Sequence, residues 1–182
     1  ELELRQMSVV RRWATRRTTR DQTLADHSFY VCLYADQIAD LLEWRGDRSK
    51  LTRIALLHDL DELVTGDLPG SWKHMLSGTA RAAIETSAGG FLLGWFPWLR
   101  HDPDPGVVEI VRCADALEAV LFAAEETRFG NPDFGVVMTD AMSRLERTIN
   151  GLPGGKERQD AVWHEISRAV SRHRNDSPEA AR

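Results

Sequence analysis

A histidine and an aspartate stand side by side, His58-Asp59, inside the run Ile54-Ala55-Leu56-Leu57-His58-Asp59-Leu60-Asp61-Glu62-Leu63-Val64. A segment this apolar is buried on most of its faces. An imidazole and a carboxylate in its middle cost on the order of several kcal/mol each unless a partner satisfies them. A divalent metal ion is the simplest such partner. Two other segments carry a matching group on an inward stripe: His27 before the dipeptide and Asp115 well after it. Two imidazoles and two carboxylates make a hard-to-borderline ligand set, suited to Mn, Co, Fe, Ni, Mg or Zn in a hydrolytic site.

A chain of 182 residues has room for one domain with one sizeable core. Its 42% apolar and 28% charged content is that of an ordinary globular protein. A net charge of −5 argues against a surface that coats nucleic acid, although the first twenty residues are basic. Cys32 and Cys113, the two cysteines, fall in apolar helical contexts and read as reduced core residues of a cytoplasmic protein. No apolar stretch reaches the roughly 18 residues of a membrane span. The longest, from Phe91 to Leu99, is broken by Gly94 and Pro97.

Helical periodicity dominates the chain. Residues 1–16 predict a basic amphipathic helix through Met7, Val10 and Trp13, and Thr18 to Gln22 a polar loop. A second helix runs from about Thr23 to Trp44, with His27, Val31, Tyr34, Ile38 and Leu41 on one face. The central helix is expected from Arg48 to Val64, stopped by Gly66-Asp67-Leu68-Pro69-Gly70. Two short helices fill 71–99. A strong helix from Val107 to Phe129 carries Asp115 on the face of Val108, Val111, Ala119 and Phe122. Residues 134–150 and 156–173 predict two C-terminal helices, and 174–182 a frayed tail. The expectation is an all-α, single-domain fold with a metal site among its central helices. Each candidate ligand also has a plainer reading: a hydrogen-bonded core histidine for His27, and an ion pair with nearby Arg112 for Asp115. Four such groups on three inward faces favour the metal.

The order His27, His58-Asp59, Asp115 resembles the H…HD…D pattern of the HD-domain phosphohydrolases, all-helical metal enzymes. A closer resemblance is to their bacterial 5'-deoxynucleotidase branch and the related phage dATP triphosphohydrolases. That branch carries an Arg-Trp pair ahead of the first metal histidine, matched by Arg12-Trp13. It carries a stretch like His58-Asp59-Leu60-Asp61-Glu62-Leu63-Val64-Thr65-Gly66-Asp67-Leu68-Pro69, and a lysine shortly after, matched by Lys73. Motif and spacing agree over about residues 5–130, while the C-terminal helices agree only as helices. Ser71 stands where the branch often has proline, which bears on base specificity.

The resemblance implies a phosphohydrolase of deoxynucleotides, with His27, His58, Asp59 and Asp115 as metal ligands. Glu62 is expected to orient or deprotonate the attacking water. Asp67 could hold a second metal or that water, or protonate the leaving oxygen. Arg12 and Lys73 would grip phosphate, and Trp13 would offer a flat face to base or sugar. The basic run Arg16, Arg17 and Arg20 reads first as an ordinary solvated face, and alternatively could line a channel for a longer polyphosphate. The expected substrate is a small deoxynucleotide, with no nucleic-acid or membrane partner. The tryptophan-rich 91–99 segment predicts a homo-oligomer. Removal of the 5'-phosphate from a monophosphate is the leading expectation. Alternatives are a dATP triphosphohydrolase releasing tripolyphosphate and a non-catalytic nucleotide-binding module.

Overall fold

The computed structural model describes residues 4–68, 75–80, 82–84, 86, 96 and 104–175. Helices described from end to end are α1 (Leu24–Leu41), α2 (Arg48–Leu57), α3 (Glu62–Thr65), α4 (Pro105–Arg128), α5 (Phe134–Gly151) and α6 (Lys156–Asn175), and the described residues 78–80 and 82–84 are helical as well. No strand occurs among the described residues, and Arg11 and Thr23 form an isolated antiparallel bridge. The fold is all-α, as the periodicity requires. The chain divides into two compact units, Glu1–Phe29 with Leu57–Pro103, and Tyr30–Leu56 with Asp104–Arg182.

In the first unit the expected N-terminal helix is absent. A 3-10 turn spans Leu4–Ser8, and beyond it Arg11 forms its isolated bridge with Thr23, just ahead of α1. Arg12 N–H donates to Gln22 O at 2.9 Å, and Leu24 N–H to Val10 O at 2.9 Å. These long-range bonds outcompete the local ladder that the Met7, Val10 and Trp13 stripe suggested. A reciprocal capping box opens α1: Thr23 N–H donates to Asp26 Oδ2 at 3.0 Å, and Asp26 N–H donates to Thr23 Oγ1 at 3.2 Å. The cap fixes the first turn, which carries His27.

The continuous helix expected over 48–64 is also interrupted. Asp47 caps α2 by accepting Lys50 N–H at 3.0 Å, and α2 ends at Leu57. From Leu60 to Val64 the backbone bonds run to the third residue back: Leu60 to Leu57, Glu62 to Asp59, Leu63 to Leu60 and Val64 to Asp61. His58 and Asp59 therefore occupy a tight turn between α2 and α3, rather than the middle of a helix. Tightening the winding there changes where successive side chains point. Gly66, at φ 69°, stops α3 where the sequence placed a stop.

In the second unit α4 is the axis, about 36 Å long for its 24 residues. Asp104 caps it through Gly106 N–H at 2.7 Å, with Pro105 in the first turn. Val107, Ile110, Ala114, Leu117 and Leu121 of α4 pack with Val31, Ala35 and Ile38 of α1, Leu145 and Ile149 of α5, and Val162 and Ile166 of α6. Burying each such leucine or isoleucine contributes about 1.5–3 kcal/mol. The end of α1 closes as a Schellman turn, with Trp44 N–H to Ala39 O and Glu43 N–H to Asp40 O, both 2.9 Å. Glu43 takes the left-handed position at φ 48°, and its carboxylate accepts from Arg158 at 2.8 Å.

Both cysteines are free, Cys113 buried and Cys32 partly so. No described helix is long and apolar enough to cross a membrane. The two short helices expected over 71–99 and the tail beyond 175 lie largely or wholly outside the described residues.

Candidate metal centre

His27 projects from the first turn of α1 and is fully buried. Its position four residues before buried Val31 and eight before buried Ala35 puts it on the helix's inward stripe, as the periodicity predicts. His58 and Asp59 approach it from the turn between α2 and α3. The Nε2 atoms of His27 and His58 are 3.3 Å apart. Asp59 Oδ2 lies 3.5 Å from the first and 3.3 Å from the second.

Three donor atoms at these separations have the spacing of neighbouring ligands on one cation, given bonds of about 2.0–2.2 Å. Two neutral imidazoles facing each other at 3.3 Å cannot both present lone pairs without a proton or cation between them. The chemistry and spacing of the three groups fit a divalent metal.

Arg12 joins this cluster. Its Nη1 donates to Asp59 Oδ2 at 3.0 Å and stands 4.0 Å from Glu62 Oε2. Arg11 faces solvent and pairs with Asp21 at 2.6 Å, while Arg12 turns inward and its side chain is 13% exposed. Burial pushes the Asp59 carboxyl up. Hydrogen bonds from His27 and His58, with the charges of His58 and Arg12, more than reverse this and hold it well below the usual carboxylate range. Asp59 is thus ionised and ready to ligate a cation.

Glu62, at the head of α3, is buried. Its N–H donates to Asp59 O at 3.0 Å, so main chain ties it to the His58-Asp59 turn. Asp67 accepts the Trp13 N–H on Oδ2 at 2.6 Å, and the Trp13 indole N–H donates to Gln22 Oε1 at 2.8 Å. Trp13 sits at φ 62°, a left-handed conformation that costs a bulky residue roughly 1–3 kcal/mol and persists only when its surroundings hold it. Sequence reasoning missed Gln22, because a lone glutamine in a polar loop carries no periodic signal.

Asp115 belongs to the second unit. It lies on α4, its side chain 13% exposed, and pairs with Arg144 of α5. The expected neighbour Arg112 instead bonds Glu109 on its own helix at 2.8 Å and faces solvent. Within the first unit, then, the fold gathers His27, His58, Asp59, Arg12 and Glu62, and joins Trp13 to Asp67. Arg16, Arg17 and Arg20 are exposed. Lys73, Ser71 and the tryptophans at 72, 95 and 98 lie outside the described residues.

The family described as 5'-deoxynucleotidase YfbR-like matches residues 2–153. The 5'-deoxynucleotidase YfbR of Salmonella enteritidis is 33% identical over 162 residues, covering 80% of this chain and 79% of that protein. Among solved structures, the HD phosphohydrolase DatZ of cyanophage S-2L, bound to dA and one catalytic Zn2+ ion, superposes with a TM-score of 0.77 at 21% identity. That likeness covers 94% of this chain and 98% of DatZ. An HD-domain phosphohydrolase from Listeria innocua gives 0.59 at 14% identity, over 91% and 93%. The two structures show a shared HD-domain fold.

Proposed function

The chain belongs to the YfbR-like 5'-deoxynucleotidase family, and from that membership and the site we propose that it is a metal-dependent phosphohydrolase removing the 5'-phosphate from deoxynucleoside monophosphates. The observation that carries this reading is the convergence of His27, His58 and Asp59 donor atoms within 3.5 Å of one another, beside half-buried Arg12 and buried Glu62. We read the whole chain as one HD-type hydrolase domain acting in the cytoplasm.

The proposed ligands are His27, His58, Asp59 and Asp115. A divalent cation there supplies positive charge that acidifies water and polarises the phosphoryl oxygens. Glu62 takes the proton of the attacking water, its burial raising the strength of its interaction with that water. Water oxygen bonds to phosphorus as the bond to the 5'-oxygen breaks. Asp67 delivers the proton that the departing 5'-oxygen needs. Arg12, already among the acidic groups, neutralises charge on the phosphoryl oxygens when phosphate displaces its contact with Asp59. Lys73 adds a second cation, assigned from its place in the motif. Trp13 receives the sugar or base on its ring. Metal identity, and a second ion at Asp67, are open to direct metal analysis. Exposed Tyr30, Leu33 and Leu41 on α1 support a homo-oligomeric assembly.

The test is product identity. Metal-loaded enzyme is incubated separately with dAMP and dATP. Orthophosphate from dAMP, with slow turnover of dATP, is the expected result. Tripolyphosphate from dATP as the main product makes the chain a triphosphohydrolase whose exposed Arg16, Arg17 and Arg20 serve the longer chain. Inertness toward both, with metal bound, leaves a nucleotide-binding module.

A further inference from the structure

Trp13 is held at two points, and the second has no counterpart in the proposed chemistry. Its backbone N–H is fixed by Asp67 at 2.6 Å, which sets where the residue begins but not how its ring is turned. The indole N–H donates to Gln22 Oε1 at 2.8 Å, and that bond restricts rotation of the ring. Gln22 is itself 5% exposed, so its amide is a rigid acceptor rather than a mobile surface group. A flat ligand stacks well only on a ring of settled orientation.

We propose that Gln22 is a positioning residue that sets the plane of the Trp13 ring and thereby governs how tightly the nucleoside part of the substrate is held. This rests on the reading of Trp13 as the surface that receives the nucleoside. Gln22 acts through Trp13 and touches no reacting atom.

A purely structural role for Gln22 is separable. Its main-chain oxygen accepts from Arg12 N–H at 2.9 Å, a bond that any residue at position 22 supplies. The side-chain oxygen is the atom that accepts the indole N–H. Gln22→Met keeps length and bulk but removes the acceptor, and Gln22→Glu keeps an acceptor oxygen.

The experiment uses the full-length, metal-loaded protein labelled with 15N. Of six tryptophan indole signals, the one lost in Trp13→Phe is assigned to Trp13. In Gln22→Met that signal is expected to shift and to exchange faster with water. KM for dAMP, or for dATP if that is the nucleotide hydrolysed, is expected to rise about tenfold, with kcat and metal content within twofold of the parent. Gln22→Glu is expected to bring KM back to within threefold. An unmoved indole signal and KM in Gln22→Met overturns the proposal, as does a parallel loss of metal and kcat. If Trp13→Ala leaves KM unchanged while Gln22→Met still shifts the indole signal, the premise about Trp13 has failed and the proposal falls with it, the hydrogen bond being real but without consequence for substrate.

Discussion

The main-chain N–H of Trp13 donates to the carboxylate of Asp67 at 2.6 Å, across 54 residues of sequence. This bond joins the residue proposed to receive the nucleoside to the residue proposed to protonate the leaving oxygen. It also holds Trp13 in a left-handed conformation that the residue does not adopt by preference. Under those proposed roles, substrate binding and proton delivery would share one physical support.

Asp67 variants should separate those two duties. Asp67→Asn keeps an oxygen for the Trp13 N–H but supplies no carboxyl proton, so kcat should fall ~10²-fold with KM little changed. Asp67→Ala removes both, and KM should rise as well. Steady-state kinetics of the pair decide it; equal KM values in the two variants count against the shared support.

Asp59 lies within 3.5 Å of both histidine nitrogens and pairs with Arg12. Asp59→Ala should lose bound metal and activity together while keeping its helical circular dichroism, because capped α1 and α2 form without it. Metal analysis on the purified variant provides the check, and full activity would sink the ligand assignment.

Glu62 should behave differently. Glu62→Ala should retain metal near the parental level and lose about 10²-fold or more in turnover. Metal content falling in step with rate would make Glu62 a ligand instead of a base.

Arg144 of α5 pairs with Asp115 of α4. Groups that orient a ligating carboxylate typically change metal affinity by about 10–100-fold when removed. Arg144→Ala should therefore weaken metal binding on that scale by calorimetric titration, whereas Arg112→Ala, which removes only a surface pair with Glu109, should not.

Burial pushes the Cys113 thiol up to about 12, opposed only in part by its hydrogen bond with Thr148. An unfolded thiol ionises near about 8.5. The folded value is the higher one, so the native state favours the protonated thiol. That stabilisation is complete below about pH 8.5 and is lost at up to ~1.4 kcal/mol per pH unit as pH rises toward the folded value. Urea unfolding at pH 8 and pH 10 should show a steeper alkaline loss for the parent than for Cys113→Ala. Identical slopes would falsify the assignment of that loss to Cys113.

The helices α1, α4, α5 and α6 were legible because their signals are local. Apolar residues recur at three and four along each, although α4 begins at Pro105, ahead of the expected Val107. His27 was legible for the same reason, since Val31 and Ile38 of its expected stripe are buried with it, whereas Leu41 at the end of α1 is exposed. The N-terminal segment departs from its pattern: its apolar spacing suits a helix, yet Leu24 N–H donates to Val10 O and Arg12 N–H to Gln22 O. The apolar run around His58 likewise suits an unbroken helix, and local spacing holds no mark of the turn that interrupts it.

Sequence by itself determined the helical class, the caps and the kinds of group available for chemistry, because helix periodicity and side-chain chemistry act over a few residues. Tertiary structure alone decided that Arg12 meets Asp59, that Trp13 is clamped between Asp67 and Gln22, and that Asp115 takes Arg144 rather than Arg112. Except for the nine-residue step from Trp13 to Gln22, these pairs are separated by 29 to 54 residues. Their formation depends on how whole elements pack and on which buried charge finds a partner, and neither is written into the spacing around any one residue.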